Sequence, residues 1–152
     1  MENYERALEI LTSAQMFRIK LGLERISALL ELLGNPQNEL KCIQVAGTNG
    51  KGSVSAILAS VLSFSGLKTG LYTSPHLVNY TERLKIDNKE ISKENFSKLV
   101  FEISEIAAKK GIEPTEFEIL TAAMFKYFND EKIDICILET GLGGRFDATN
   151  VV

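Results

Sequence analysis

A glycine-rich segment with one lysine and one hydroxyl carries the strongest chemical signal in the chain. Residues 47–53 read Gly-Thr-Asn-Gly-Lys-Gly-Ser and follow the apolar run 42–46. Glycines let backbone N–H groups converge on a bulky anion at the positive end of a following helix. Lys51 would add a positive charge at the β- and γ-phosphates, and Ser53 a hydroxyl for phosphate-bound Mg²⁺. We therefore predict a nucleoside triphosphate site formed by Gly47, Thr48, Asn49, Gly50, Lys51, Gly52 and Ser53.

The segment departs from the common phosphate-loop pattern G-x-x-x-x-G-K-[ST] at two positions. Position 45 is Val where the pattern has its first glycine, and Gly52 separates Lys51 from Ser53. The alternative interpretation is a strand-to-helix turn without a ligand. A bare turn has no use for a lysine and a hydroxyl among three glycines, so we favour the nucleotide site.

Three further polar residues follow predicted strands and are candidates for the same site. Glu139 ends the apolar run 133–138, where a carboxylate is costly unless it pairs with a cation or binds a metal. We predict that it serves Mg²⁺; the alternative is an ion pair with a nearby lysine or arginine. Ser74 has no His–Asp pair to make it a nucleophile, so a metal-ligand or phosphate-loop role suits it better. The lone His76 is either a substrate or metal contact or a packed residue. The predicted metal ligands are thus Ser53, Ser74 and Glu139, and the catalytic candidates are Lys51, His76 and Glu139.

Two other segments carry charged residues, one in a glycine-rich stretch and one at a predicted helix start. Residues 141–150 are glycine-rich and contain Arg145 and Asp147. Arg145 could hold a carboxylate or phosphate; the alternative is a solvated turn with an Arg145–Asp147 pair worth about 1 kcal/mol or less. Residues 115–118, Thr-Glu-Phe-Glu, open a helical pattern. Acids favour a helix start in any case, so locally we interpret this segment as a capped helix start.

Apolar periodicity predicts alternating strands and helices. Strands are predicted at 41–46, 69–72 and 133–138, with a hairpin formed by 83–87 and 90–92. Helices are predicted at 4–13, 26–33, 54–62, 96–107 with Ser92 as cap, and 117–128. This alternation is typical of an α/β fold, a mostly parallel sheet with helices on both faces. Ligands of such sheets bind beyond the carboxyl ends of the strands, where both glycine-rich segments fall.

Composition narrows the class of protein. A chain of 152 residues, 45% hydrophobic and 24% charged, predicts one globular domain over 1–152. The net charge is −3 without a basic stripe, so nucleic acid is not an expected partner. No secretory signal follows Met1, and no apolar stretch approaches the ~20 residues that a bilayer needs, so we expect a cytoplasmic protein without membrane contact. Cys42 and Cys136 lie in predicted strands and are expected to be buried free thiols, with a disulfide as the alternative.

Four motifs in order resemble the folylpolyglutamate synthase/dihydrofolate synthase family of the Mur ligase superfamily. They are residues 47–53, 73–77, 82–84 and 138–150, and residues 21–25 are similar as well. The resemblance implies a P-loop-type ATPase domain and an ATP-dependent amide ligase. The γ-phosphate of ATP would pass to a substrate carboxylate, and the amine of L-glutamate would then displace phosphate from the acyl phosphate. Residues 50–53 would hold ATP, with Ser74 and Glu139 on Mg²⁺.

The resemblance also implies a pterin or folate site beneath a mobile loop that follows Ser74. Its residues would be Leu21, Gly22, Leu23, Thr115, Glu116, Phe117, Glu118, Phe146, Asp147 and Ala148, with Arg145 as a further substrate contact. Family members continue past this point through a second metal-binding histidine, a carbamylated lysine and a Rossmann-like domain that completes the ATP and glutamate sites. The chain thus resembles only the first part of such an enzyme, incomplete at its C-terminus. We expect a monomeric full-length enzyme, but an inactive part that binds nucleotide weakly at best and self-associates through uncovered apolar surface.

Two other functions stay open at this point. A muramyl-peptide ligase of the same superfamily is disfavoured by Gly52 and by the Phe-Asp-Ala-Thr-Asn sequence at 146–150. A nucleotide-binding module without catalysis is disfavoured by the intact Lys51 and Glu139.

Overall fold

The computed structural model describes residues 2–15, 22–141 and 143–152, and within them the chain forms a five-stranded sheet of order β1-β5-β2-β3-β4. The strands are β1 (Cys42–Val45), β2 (Thr69–Tyr72), β3 (Leu84–Ile86), β4 (Lys89–Glu90) and β5 (Ile135–Glu139). The helices are α1 (Glu2–Gln15), α2 (Glu24–Leu32), α3 (Lys51–Phe64), α4 (Lys93–Lys109) and α5 (Glu116–Asp130). Short 3₁₀ helices span Pro36–Glu39 and Tyr80–Arg83.

The parallel part of the sheet is β1-β5-β2, with β5 in the middle. Val45 is the register partner of Glu139, and Tyr72 is that of Leu138. The carboxyl ends of all three strands therefore lie at one edge, which positions the loops that follow them side by side. This arrangement confirms the predicted mostly parallel sheet.

Several strand boundaries differ from the prediction by one residue, and two differ by two residues. The β3–β4 hairpin forms as expected, but β4 ends at Glu90 because Ser92 leaves the sheet and caps α4, its hydroxyl accepting the N–H of Asn95. β5 begins at Ile135 rather than at residue 133. Lys132 has a positive φ of 51°, and the Asp134 carboxylate accepts the N–H of Lys68, so this stretch still belongs to the turn.

Helices cover both faces, as predicted, but unequally. The main core joins the sheet to α1, α2, α4 and α5, and includes Tyr72, Leu138 and Phe128. On the other face α3 packs through Ala59 against Leu71 and Ile137. The main core is tightly packed at β2, where a Cβ on Gly70 would lie 2.9 Å from the Phe128 ring.

The outward side of α3 carries a row of apolar residues, here called the α3 stripe. Its members are between 47% and 93% exposed. They are Val54, Ile57, Val61 and Phe64. As for membrane contact, none of the helices in the described ranges is long and apolar enough to span a bilayer.

Candidate nucleotide site

The loop after β1 leads directly into α3 and leaves that helix start uncapped. Residues 46–50 are exposed, and Gly50 takes φ +76° at the N-cap position, a left-handed conformation that glycine adopts without strain. Gly50 has no side-chain oxygen to accept an N–H, and α3 has no acidic residue in its first turn. The first N–H groups of α3 and the positive end of its dipole are thus available to an anion.

Lys51 bends back over this loop. Its Nζ donates to the carbonyl oxygen of Gly47 at 2.9 Å. A phosphate oxygen at the same place would accept a stronger, charge-assisted hydrogen bond than a neutral carbonyl. Lys51 and the uncapped amides thus lie together at the start of α3, and Ser53 follows in the first turn of that helix. Binding of a polyphosphate by these residues stays a prediction.

Glu139 lies beside the same loop. Its Oε1 is 3.5 Å from the position that a Cβ on Gly52 would occupy. Its Oε2 accepts the backbone N–H of Ser74 at 3.0 Å. The ends of β1, β5 and β2 thus bring the Lys51 loop, Glu139 and Ser74 to one place.

The Glu139 carboxylate has an environment that suits a metal ion. The side chain is 6% exposed, and no lysine or arginine of the described ranges pairs with it within 4.0 Å. The ion-pair alternative is therefore not what the structure shows. One amide N–H leaves most lone pairs of the carboxylate unused, and a phosphate beside it would add like charge.

Mg²⁺ fits this donor set. It is commonly bound through one or two carboxylates together with water and substrate phosphates rather than by an all-protein cage. The backbone N–H of Ser74 contacts Glu139, and Ser53 follows Gly52, which faces the same carboxylate. The hydroxyls of these two serines therefore stay the predicted further oxygen donors. In the described part of the chain, no group of three or more His, Cys, Asp or Glu side chains could hold a metal.

His76 belongs to a second cluster that joins the loop after β2 to the start of α5. Its Nδ1 accepts from Arg83 Nε at 3.0 Å, and its ring lies 4.1 Å from that of Tyr80. Arg83 also lies 3.5 Å from Glu116 Oε1. Burial, followed by the Arg83 charge, lowers the pKa of His76. A neutral His76 thus holds the loop, while its role as a catalytic residue stays a prediction.

Glu82 organises the tip of the same loop, a role that the sequence analysis missed. Its carboxylate accepts the backbone N–H groups of Asn79 at 2.6 Å and of Leu77 and Val78 at 2.8 Å each. These hydrogen bonds lower the pKa of Glu82 to about 2, and the bond from Asn79 has the largest effect. The loop thereby presents Leu77 and Val78 outward, both largely exposed. The only sequence signal was the Glu-Arg-Leu motif at 82–84.

The segment 115–118 forms the capped helix start that we predicted on local grounds. Thr115 Oγ1 accepts the N–H of Glu118, and Glu118 Oε2 accepts the N–H of Thr115 at 2.7 Å. The Glu118 carboxylate also pairs with Arg25 at 3.0 Å. Glu116 faces Arg83, and Phe117 packs under Gly141, where a Cβ would lie 2.8 Å from the ring. Contact of these residues with substrate stays a prediction.

The second glycine-rich segment lies against the first. A Cβ on Gly144 would be 4.0 Å from the Cβ of Ala46. Asp147 is buried, and its carboxylate accepts the N–H of Gly141 at 2.7 Å and both the N–H and the hydroxyl of Thr149. It therefore shapes the segment from within, and Ala148 next to it is buried as well.

The remaining substrate candidates differ in their surroundings. The guanidinium of Arg145 lies 5.5 Å from the ring of Phe146, and both side chains are exposed. Leu23 precedes α2, and its carbonyl accepts the N–H of Ser27. Gly22 is the first residue described after the gap at 16–21, and Leu21 lies outside the described residues.

Comparison with known proteins finds relatives that share the sequence of this chain. It is 48% identical over 134 residues to the dihydrofolate synthetase of Saccharomyces cerevisiae, covering 88% of the chain and 31% of that relative. It is 40% identical over 154 residues to the dihydrofolate synthase/folylpolyglutamate synthase of Bacillus subtilis, covering 98% and 36%. Over most of its own length, the chain is similar to folylpolyglutamate and dihydrofolate synthases. It spans about a third of the length of these relatives, and no protein-family model matches it.

Solved structures of the family share the fold. Folylpolyglutamate synthase from Thermotoga maritima matches with a TM-score of 0.89 and 42% identity, over 99% of this chain and 36% of that one. Mycobacterium tuberculosis folylpolyglutamate synthase complexed with ADP matches with a TM-score of 0.90 and 37% identity, over 99% and 34%. An FPGS–AMPPCP–folate complex matches with a TM-score of 0.89 and 35% identity, over 99% and 38%. The predicted fold class, an α/β domain of the Mur ligase kind, is thereby confirmed.

Proposed function

We propose that this chain forms the ATP-binding part of an amide ligase that joins L-glutamate to dihydropteroate or a (tetrahydro)folate. The names of its relatives and the nucleotide and folate complexes of the family support this assignment. The observation that carries it is the meeting of the Lys51 loop with a buried Glu139, which pairs with no lysine or arginine of the described ranges, at one edge of the sheet. Such a pair of opposite charges beside uncapped amides suits a metal-bound polyphosphate.

The proposed reaction brings two negatively charged groups together, and the residues of the site would reduce their repulsion. A substrate carboxylate must approach the γ-phosphoryl group of ATP, form an acyl phosphate, and then lose phosphate to the attacking amine of glutamate. Lys51 and the amides of the loop would stabilise the negative charge of the transferring group. Mg²⁺, held by Glu139 with Ser53 and Ser74, would supply further neutralisation of the phosphates.

The pterin or folate would lie near the loop held by His76 and the exposed Arg145 and Phe146. Segments 22–23 and 115–118 would form the rest of its site. Because Glu116 and Glu118 already face arginines, their proposed contribution is through position and backbone rather than through free carboxylates.

Calorimetry with Mg-ATP tests the nucleotide site. We expect Lys51→Ala to weaken binding about 10- to 100-fold, because a hydrogen bond from a charged group is worth about 1.5–3 kcal/mol. Lys98→Ala is the matched control, since Lys98 pairs with Glu94 on the exposed side of α4. Equal affinity in wild type and Lys51→Ala would refute the proposed site.

Glu139→Gln separates the metal from the nucleotide. With EDTA present, we expect the variant to bind ATP at least as tightly as the wild type, because the substitution removes a negative charge beside the phosphates. With Mg²⁺ present, only the wild type should gain affinity, because a neutral amide is a poor ligand for a hard divalent cation. An equal Mg²⁺-dependent gain in ATP affinity in both proteins would show that Glu139 is not a metal ligand.

Catalysis by the 152 residues alone is a separate question. We propose that they bind nucleotide without completing ligation, since they span about a third of the relatives' length. The assay is phosphate release with ATP, dihydropteroate and glutamate, with a UDP-muramyl acceptor as the comparison substrate. Glutamate-dependent phosphate release with dihydropteroate would show that the 152 residues complete ligation and would refute the proposal. Release with only the muramyl acceptor would refute the assignment of a pterin or folate substrate.

Self-association, a cytoplasmic location and a single domain also remain proposals. The α3 stripe supports a dimer of this chain, with a second copy covering exposed apolar surface. Sedimentation velocity at graded concentrations should show association that Ile57→Lys abolishes. A monomer at all concentrations would refute it.

A further inference from the structure

The thiols of Cys42 and Cys136 lie side by side across two strands. The two residues are register partners on β1 and β5, so their side chains leave the sheet on the same face. Their Sγ atoms are 2.9 Å apart, and both cysteines are free. A disulfide bond is about 2.05 Å long, so closing one requires an approach of less than about 1 Å.

The backbone around the pair already suits a disulfide. Neighbouring strands lie about 4.8 Å apart, inside the roughly 4.4–6.8 Å separation of Cα atoms that disulfides use. The N–H of Cys136 donates to the carbonyl of Lys41 at 2.9 Å, so the ladder of hydrogen bonds continues through this point. Bond formation therefore asks for side-chain rotation rather than strand movement.

The two thiols are not equivalent. Cys42 is half-buried, whereas Cys136 is fully buried. The hydrogen bond from Cys136 lowers the pKa of Cys42, and the same contact together with burial raises the pKa of Cys136. Cys42 is therefore the thiol that an outside oxidant meets first, and Cys136 is placed to react second.

We propose that Cys42 and Cys136 are a redox modification site that closes reversibly to a cross-strand disulfide with small organic disulfides such as oxidised glutathione. The Cys42 thiolate attacks one sulfur of glutathione disulfide, forms a mixed disulfide and releases one glutathione thiolate. The Cys136 sulfur, on losing its proton, attacks the Cys42 sulfur and releases the second glutathione. The protein gives up two electrons, glutathione disulfide accepts them, and the two thiol protons end on the two glutathione molecules.

The cross-link would tie β1 to β5, the strands that carry the Lys51 loop and Glu139. It closes a chain segment with a sequence separation of 94 residues. Disulfides across long segments restrict the unfolded chain strongly, so we expect the thermal midpoint to rise on the order of 10 °C on oxidation. This inference does not depend on the proposed ligase function.

The test is equilibration of the whole chain in anaerobic glutathione buffers graded from reduced to oxidised. Acid quenching, alkylation with N-ethylmaleimide and peptide mapping then report each thiol. We expect the wild type to lose two hydrogens, to protect both cysteines and to yield one joined pair of peptides that dithiothreitol separates. The thermal midpoint should rise in the same samples.

Two variants assign the order of steps. Cys136→Ala should accumulate glutathione on Cys42, and Cys42→Ser should leave Cys136 alkylated only after unfolding. The wild-type measurement does not depend on the folding of either variant. Two alkylatable thiols in fully oxidised buffer would show a merely packed pair and overturn the proposal. Stable glutathione on wild-type Cys42, or a disulfide between two chains, would overturn it as well.

Discussion

Glu118→Gln tests whether the start of α5 is held by a buried ion pair. The carboxylate is 5% exposed and receives three hydrogen-bonding groups. They are the N–H of Thr115 at 2.7 Å, Arg25 Nε at 3.1 Å, and Arg25 Nη2 at 3.0 Å from the second oxygen. Glutamine has the same size but replaces one accepting oxygen with an NH₂ group. One of the three donors then meets another donor.

The expected loss follows from burial. Removing one partner of a buried ion pair costs about 3–5 kcal/mol when the other charge is left without compensation. The Arg25 side chain is 22% exposed and recovers part of its hydration, so we expect a loss of about 2–4 kcal/mol. For a chain of this size, that corresponds to a fall in thermal midpoint of roughly 5–15 °C.

Urea unfolding followed by circular dichroism measures the loss, and Glu94→Gln provides the matched control. Glu94 also lies in the first turn of a helix and pairs with a lysine, Lys98, at 2.6 Å, but on the surface of α4. Both substitutions remove one acidic charge near a helix N-terminus, so the helix dipole is affected alike. We expect the control to unfold at the wild-type midpoint.

A loss below about 1 kcal/mol for Glu118→Gln would refute the reasoning, because a donor of the buried Glu118 site would then face another donor at little cost. Unchanged stability with reduced folate affinity would instead assign Glu118 to the substrate, as the family resemblance implies. The two readouts therefore separate a structural carboxylate from a binding one.

Two further predictions concern the neighbouring loops. Gly141→Ala should lower the free energy of unfolding by about 1–3 kcal/mol through overpacking, because the new Cβ would lie 2.8 Å from the Phe117 ring. Gly144→Ala is the control and should melt like the wild type, because the nearest atom to its new Cβ is 4.0 Å away. Equal melting temperatures of the two variants would contradict this prediction. His76 should titrate by NMR below its ordinary pKa of 6.5 because it is buried beside Arg83. The unfolded chain binds that proton at higher pH, so this contribution to stability is present above pH 6.5 and is lost as the pH falls through the folded pKa. A midpoint at or above 6.5 would contradict the burial argument.

Local patterns in the sequence were enough for most elements of the fold. Ser92 and Thr115 marked the starts of α4 and α5, because capping depends on residues only three positions apart. The apolar runs marked β1, β2 and β5. The two largest errors in strand ends fall where Ser92 caps α4 and where the turn at Lys132 and Asp134 precedes β5. The Lys51 loop was identifiable because its glycines, lysine and hydroxyl are adjacent in the chain.

Pairings across the fold were decided only by the tertiary structure. Arg25 and Glu118 are 93 residues apart, and Ser74 reaches Glu139 across 65. The contact of Cys42 with Cys136 depends on the register of β1 against β5, since a shift by one residue would move each thiol to the opposite face. The sequence by itself determined the type and order of the elements and which residues are candidates for binding a phosphate. Register and packing, which depend on the whole buried core, decided which side chains meet around that site.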